Sequence, residues 1–308
     1  MNLSFYHNFV VNPTIEVTPC IRISPFSESD LAYPESDTCL AKQYLTDRFH
    51  NYSLTTKARE ALSIALAYYH LNKDDVVTIF TTSNNYYISS CVTKEIDKIC
   101  LWSREFSDHT KLILVNHEFG YPFDNLEDLK QYGVPIIEDC AHTFVTRGKD
   151  TQIGTIGDFV IYSLPKFFPM QIGGILVSNN PMFNLSGNEN ISYDQDYILR
   201  HLSKNIPCQD YIIRKRLFNY SYLSDHLSEI GIRPFFELKE NVIPGVFLFK
   251  WESTINYPLL KEFMQRNGVE SSVFYGENAF FIPVHHRLEI SHLDYMITLL
   301  IYFKNAFC

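Results

Sequence analysis

The chain has 308 residues, of which 46% are hydrophobic, 20% charged and 15% aromatic. That is the composition of a packed globular protein, and it excludes a disordered, collagen-like or low-complexity chain. Lys and Arg total 26 against 35 Asp and Glu, a formal net charge of -9, which argues against nucleic acid as a main partner while leaving room for a local basic pocket that takes a small phosphate.

Residues 1–50 are polar and dotted with proline, and no element is assigned there. From Thr56, Ala58, Ala61, Leu62, Ala65, Leu66 and Tyr69 recur at helical spacing, predicting an amphipathic helix to about Leu71. After a polar break, Val76–Phe80 is a β-branched run short enough for a buried strand, and residues 86–95 suit a second helix. Lys111–Val115 is another buried strand, ended by Asn116-His-Glu-Phe-Gly120. Leu126–Tyr132 is a short helix stopped by Gly133 and Pro135, and Val134–Ile137 is a third strand with Glu138 and Asp139 directly after it. Phe159–Leu164 and Ile175–Ser178 add two strands, separated by the Lys166 loop and Gly173-Gly174. Strands apolar on both faces and alternating with helices predict a parallel sheet covered by helices. Residues 181–210 read as polar and irregular. Beyond them come a helix at Arg214–Leu227, a strand at Val246–Lys250, a helix at Leu259–Asn267 and a last amphipathic helix at Ile290–Phe303. The expected organisation is α/β: a large domain over 1–205 and a smaller α+β domain over 206–308.

The longest near-uncharged stretch, Phe159 to Val177, is interrupted by Ser163, Pro165, Lys166, Pro169 and two glycines, so no membrane span is expected. The opening Met1-Asn-Leu-Ser-Phe-Tyr-His7 lacks a basic region followed by a long apolar run, so no secretory signal is expected. Seven scattered cysteines without a Cys-x-x-Cys pair fit reduced thiols in the cytoplasm better than a disulfide framework or a zinc site. His285-His286 has no third ligand at useful spacing, so no metal is expected there. Arg214, Lys215 and Arg216 read as a solvated helix face, and Gly154-Thr-Ile-Gly157 lacks the spacing of a dinucleotide fingerprint.

Two residues are out of keeping with their surroundings. Lys166 is the only charged side chain from Phe159 to Val177. It is either a turn-tip lysine with its ammonium in water, or a strand-end lysine in a desolvated pocket, where burial frees the amine to form a Schiff base. Asp139 follows an apolar strand, so it either caps the next helix or stands at the carboxyl edge of the sheet, where ligands of open α/β folds bind. Strand alternation turns Glu138 to the opposite face, so only one of the two acids can meet a ligand. Taken together, an amine and an acid on neighbouring strand ends suit a pyridoxal phosphate site.

At these residues the sequence resembles the DegT/DnrJ/EryC1/StrS aminotransferases, fold-type I enzymes that use pyridoxal phosphate to aminate keto sugars on nucleotide carriers. Ile137-Glu-Asp-Cys-Ala-His142, Gly154-Thr-Ile-Gly-Asp158, Tyr162-Ser163, Lys166 and Gly173-Gly-Ile-Leu-Val-Ser178 carry the likeness. Asn116-His-Glu-Phe-Gly-Tyr-Pro122 is similar to the family's His-x-x-Gly-x-Pro loop, Thr56–Leu66 to its phosphate turn and first helix, and Ile282-Pro-Val-His285 to its carboxyl-terminal segment.

The resemblance implies that Lys166 binds the cofactor covalently and shuttles the proton, that Asp139 pairs with the pyridine nitrogen, that His142 bonds the phenolic oxygen and that Ser163 donates to the phosphate. Ala58 and Arg59 fall on the phosphate turn, where relatives usually have Ser/Asn-Gly-Thr and this chain has Lys57-Ala58-Arg59. The position of the ring-stacking aromatic falls near Asn85, and Ser163 precedes Lys166 by three positions where many relatives have five. His117 and His285 are expected to contact substrate. The resemblance further implies a nucleotide-sugar substrate, glutamate as amino donor, a role in surface polysaccharide synthesis and a homodimer. The alternatives are a catalytically silent homologue that binds a sugar nucleotide or a partner enzyme, and a pyridoxal-phosphate sugar dehydratase, whose known forms replace the lysine with histidine.

Overall fold

The β-branched and apolar runs of the first two-thirds of the chain assemble into one seven-stranded sheet. The computed structural model describes residues 20–147, 153–185 and 192–307. The sheet holds β1 (Tyr52–Thr55), β2 (Val76–Thr81), β3 (Leu101–Ser103), β4 (Thr110–Asn116), β5 (Ile136–Asp139), β6 (Phe159–Ser163) and β7 (Gly174–Ser178), in the order β1-β7-β6-β5-β4-β2-β3. The five strands from β6 to β3 are parallel, and β7 runs antiparallel to both β6 and β1. The mainly parallel α/β sheet expected from the sequence is thus present, closed at one edge by an antiparallel pair.

β4 shows why these strands read as unbroken apolar runs. Its Leu112 and Leu114 pack with Ala61, Leu62, Ala65 and Leu66 of α1 (Ala58–Ala67) and with Val92 and Ile96 of α2 (Ser90–Ile96). On the opposite face Ile113 and Val115 pack with Leu126, Leu129 and Ile136. Both faces are dry, as a parallel sheet between two layers requires.

The differences from the sequence expectation have local causes. The first helix stops at Ala67 rather than Leu71, and the turn that follows places His70 at φ 48. The second helix begins at Ser90 rather than 86, because a turn occupies 83–87: Asn84 has φ 58 and Asn85 Oδ1 accepts the Tyr87 N–H. Leu126–Tyr132 is a 3-10 helix, ended by Gly133 at φ 65. Two α-helices lie where the sequence assigned none: Cys39–Arg48, in the unassigned first fifty residues, and Tyr193–Asn205, in the stretch expected to be irregular. The second opens with a reciprocal cap between Ser192 and Gln195 and buries Tyr197, Ile198, Leu199 and Leu202. Its mean composition is polar, which hides it from a hydropathy reading.

The described chain divides into two compact units. The larger comprises Pro25–Asp210 with Lys239–Ile243 and contains the seven-stranded sheet. The smaller takes the remainder on both sides, so the units part between Asp210 and Tyr211, inside the helix Gln209–Ser228, rather than at 205/206. The smaller unit has a four-stranded antiparallel sheet, β8 (Ile232–Pro234), β9 (Val246–Trp251), β10 (Ser272–Phe274) and β11 (Ala279–Pro283), in the order β10-β11-β9-β8. Phe247, Phe249 and Phe280 of that sheet pack with Leu260 and Met264 and with Leu293, Met296 and Leu300 of the last helix, Ile290–Phe307. Among the described residues no helix is long and apolar enough to cross a membrane.

Candidate active site

Parallel pairing brings the carboxyl ends of β5 and β6 side by side. Asp139 closes β5 and is registered with Ile161 of β6; Ser163 closes β6, and a 3-10 turn over Leu164–Lys166 follows at once. A cavity of about 280 Å³ lies at this edge, and Asp139, His142, Ser163 and Lys166 all line it. Lys57, Ala58 and Arg59 line it too, so the amino end of α1, whose first N–H groups lack intrahelical partners, borders the cavity. Every lining residue belongs to the larger unit.

Asp139 sits half-buried at the sheet edge. One carboxylate oxygen accepts the Ala141 N–H at 3.0 Å and the other accepts Asn116 Nδ2 at 3.4 Å. Burial pushes its pKa above the ordinary aspartate value, against the pull of the Ala141 amide and the Lys166 charge. Such a carboxylate gains most from a cationic or N–H partner brought into the cavity. Asn116 is a lining residue that the sequence did not single out; the signal was its place at the end of β4, one strand from Asp139.

Glu138 points the other way, as alternation predicts, and is fully enclosed. Its carboxylate accepts the N–H groups of Gly154 (2.7 Å), Ile156 (2.9 Å) and Gly157 (2.7 Å). His117 Nε2 lies 3.2 Å from the same group. Burial alone would raise the Glu138 pKa, but the bond from His117 and the Gly157 and Gly154 amides outweigh it and hold the pKa below the ordinary glutamate value. This gives Gly154-Thr-Ile-Gly157 its meaning: it is a carboxylate cradle. A Cβ at Gly157 would come within 3.1 Å of Glu138 and 2.9 Å of the Phe159 carbonyl.

His117 lines the cavity, but both ring nitrogens are engaged by the protein, Nε2 by Glu138 and Nδ1 by the Phe123 N–H at 2.9 Å. Its side chain is fully enclosed, so it backs the cavity without a free polar atom to give a ligand. Arg59 Nη2 bonds Cys91 Sγ at 2.9 Å and its Nε stands 3.8 Å from Glu95, with half of the side chain exposed. Thr56 gives its N–H and hydroxyl to Glu60, tying down the turn before α1. That turn is pressed on β7 so closely that a Cβ on Gly174 would stand 2.6 Å from Lys57 C and 2.7 Å from Ala58 N. The Gly-Gly strand is therefore required by the close approach of the turn that leads into α1.

Two expected site residues are not brought to the cavity. Asn85 is buried in its own turn, and Ser89, Cys91 and Val92 at the start of α2 line the cavity instead. His285 belongs to the smaller unit, where Nε2 bonds the Arg22 carbonyl at 2.9 Å and Nδ1 accepts the Arg287 N–H at 3.3 Å. Burial and the Arg216 charge push its pKa down to about 3, so it is a neutral structural histidine. Arg216 itself, read from the sequence as solvated, is 2% exposed and directs Nη1 at the carbonyls of Pro244 and Gly245. A three-residue basic run gave no sign of which member faces inward.

The stretch that builds this edge can be compared with known proteins. Residues 103–185 match the DegT/DnrJ/EryC1/StrS aminotransferase family. The matched stretch contains Asp139, His142, Ser163 and Lys166 and leaves out Ala58, Arg59, Asn85 and His285. No curated protein matches the sequence. Among solved structures, the chain resembles the aminotransferase TlmJ from Streptoalloteichus hindustanus (16% identity, TM-score 0.72), covering 88% of this chain and 91% of that one. It resembles Spr1654 from Streptococcus pneumoniae in its PLP form (15%, TM-score 0.72), over 96% and 100% of the two chains. It also resembles the sugar aminotransferase CalS13 from Micromonospora echinospora (15%, TM-score 0.64), over 85% and 90%. At these identities the likeness is one of fold.

Proposed function

We propose that the chain is a pyridoxal-phosphate-dependent aminotransferase that converts a nucleotide-linked keto sugar to an amino sugar, with glutamate as amino donor, in surface polysaccharide synthesis. The observation that carries this reading is one cavity lined by both Lys166 and Asp139, at the ends of neighbouring parallel strands and beside the amino end of a helix. The family match over residues 103–185 supports the reaction class. A homodimer in the cytoplasm is the form the family resemblance implies.

The residues present fit pyridoxal phosphate. An amine, a half-buried carboxylate and a helix amino end are the groups that suit an aldehyde, a ring nitrogen and a phosphate, and the missing Cβ of Gly174 lets the turn that leads into α1 close in. When bound, the cofactor supplies a carbonyl for amine attachment and a protonated ring that withdraws electrons from the reacting carbon. Lys166 would hold it through Nζ and afterwards move a proton between donor and acceptor carbons. Asp139, oriented by Asn116 and the Ala141 amide, would keep a proton on the ring nitrogen. The first amides of α1 and the Ser163 hydroxyl would bind the phosphate, and His142 would bond the ring hydroxyl. The lysine at position 166 stands against the dehydratase alternative.

The test is uptake of pyridoxal phosphate by purified protein, followed by borohydride trapping, peptide mapping and a glutamate-coupled assay over a panel of keto-sugar nucleotides. Label on Lys166 with turnover of one panel member is the expected result. Protein that stays colourless with added cofactor would replace this reading with the silent homologue.

A further inference from the structure

We propose that Glu138 is a positioning residue of the cavity: it holds the His117 ring in one neutral tautomer, so that an uncharged wall stands beside Asp139. The geometry is independent of the pyridoxal phosphate reading, but the consequence for cofactor binding rests on it.

Four N–H donors converge on one carboxylate. Oε1 accepts from Ile156 at 2.9 Å and Gly157 at 2.7 Å, and Oε2 from Gly154 at 2.7 Å and His117 at 3.2 Å. The side chains of His117 and Glu138 are both fully enclosed. Nδ1 of His117 accepts the Phe123 N–H at 2.9 Å, so the ring proton is on Nε2, facing Glu138. A second ring proton would set an N–H against the Phe123 N–H and break that bond. The tautomer is thus fixed from both ends, by a backbone amide and by a carboxylate whose own position is set by three more amides.

The charged and titratable groups around the ring explain what this fixing achieves. Glu138 meets it from β5 and Cys140 lies beside them, while Asp139 turns to the other face of β5 and shares the cavity with Lys166 and His117. A cationic imidazole here would compete for the Asp139 carboxylate; a neutral one leaves that charge to the ring nitrogen of a bound cofactor. The ligand atoms of His117, Glu138 and Cys140 lie within 4.8 Å of one another, a spacing that would suit a metal ion. Each Glu138 oxygen, however, already accepts two N–H bonds, so the cluster is a hydrogen-bonded one.

The experiment uses full-length protein labelled with ¹⁵N on its histidine rings, without cofactor, at pH 7. Long-range ¹H–¹⁵N spectra, with His117 assigned by its loss in His117→Asn, are expected to show one ring protonated at Nε2 only. In Glu138→Gln that pattern should be lost, and pyridoxal phosphate should bind at least about tenfold more weakly than to wild type or to the surface control Glu127→Gln. If Glu138→Gln does not fold, the wild-type tautomer and the cofactor affinity of His117→Asn carry the test, with the same tenfold loss expected. A wild-type ring protonated at Nδ1, or at both nitrogens, overturns the proposal, as does unchanged cofactor binding in the variants. If wild type shows the expected tautomer yet takes up no pyridoxal phosphate, the cofactor reading fails and with it the role assigned to Glu138, while the hydrogen-bond geometry stands.

Discussion

At the scale of single residues, the adjacent acids Glu138 and Asp139 do opposite work because a strand turns successive side chains to opposite faces. Asp139 is held with a raised pKa, so it favours folding below the ordinary aspartate range, and that contribution is lost as pH rises through the raised value. Asp139→Asn is therefore expected to make the cofactor-free protein more stable near neutral pH, read as a higher urea midpoint, while lowering turnover by roughly 10²–10⁴-fold. Stability and function pull apart at this one position. Lys166→Ala is expected to abolish borohydride-trapped label at that site and to lower the rate at least roughly a hundredfold; label retained on another lysine would show that the amine has been misassigned. Glu138 has the opposite linkage. Its lowered pKa stabilises the fold above the ordinary glutamate range, and that contribution is lost as pH falls through the lowered value.

At the scale of elements, the cavity depends on the turn between β1 and α1 lying against β7. Gly174 is the contact point, with Thr55 Oγ1 and the Lys57–Ala58 peptide where a side chain would begin. Gly174→Ala must push that turn outward, with an expected loss of about 1–3 kcal/mol in chemical unfolding and weaker retention of cofactor. Unchanged affinity with the expected destabilisation would mean that the helix end does not hold the phosphate. Much of this element-level picture was legible in the sequence: the strands at 76–80, 111–115 and 159–164 announce themselves because both faces are buried. Tyr193–Asn205 was not, since its mean composition is polar and its apolar face declares itself only by packing.

At the scale of the molecule, the two tryptophans fall one to each unit, Trp102 in β3 and Trp251 in β9. Trp251→Phe leaves Trp102 as a reporter of the larger unit. Pyridoxal phosphate at about a hundred times its dissociation constant should then raise the unfolding free energy read by Trp102 by about 2.7 kcal/mol. A midpoint that does not move with cofactor would count against a site within that unit. The acidic net charge of -9 does not conflict with the proposed phosphate site, because the α1 amino end and Ser163 line one cavity, where a phosphate would find its donors locally.

The sequence by itself determined the strands apolar on both faces, the helix that begins near Ala58, and an amine and an acid placed at strand ends. Those features depend on periodicity within a few residues, which the chain carries wherever it folds. Only the tertiary structure decided that β1 pairs with β7, that Gly154–Gly157 cradles Glu138, that His117 has both nitrogens engaged and that His285 is enclosed within the smaller unit. Each of those depends on which distant segment supplies a hydrogen-bond partner or excludes water, and a residue's own neighbours in sequence do not specify that.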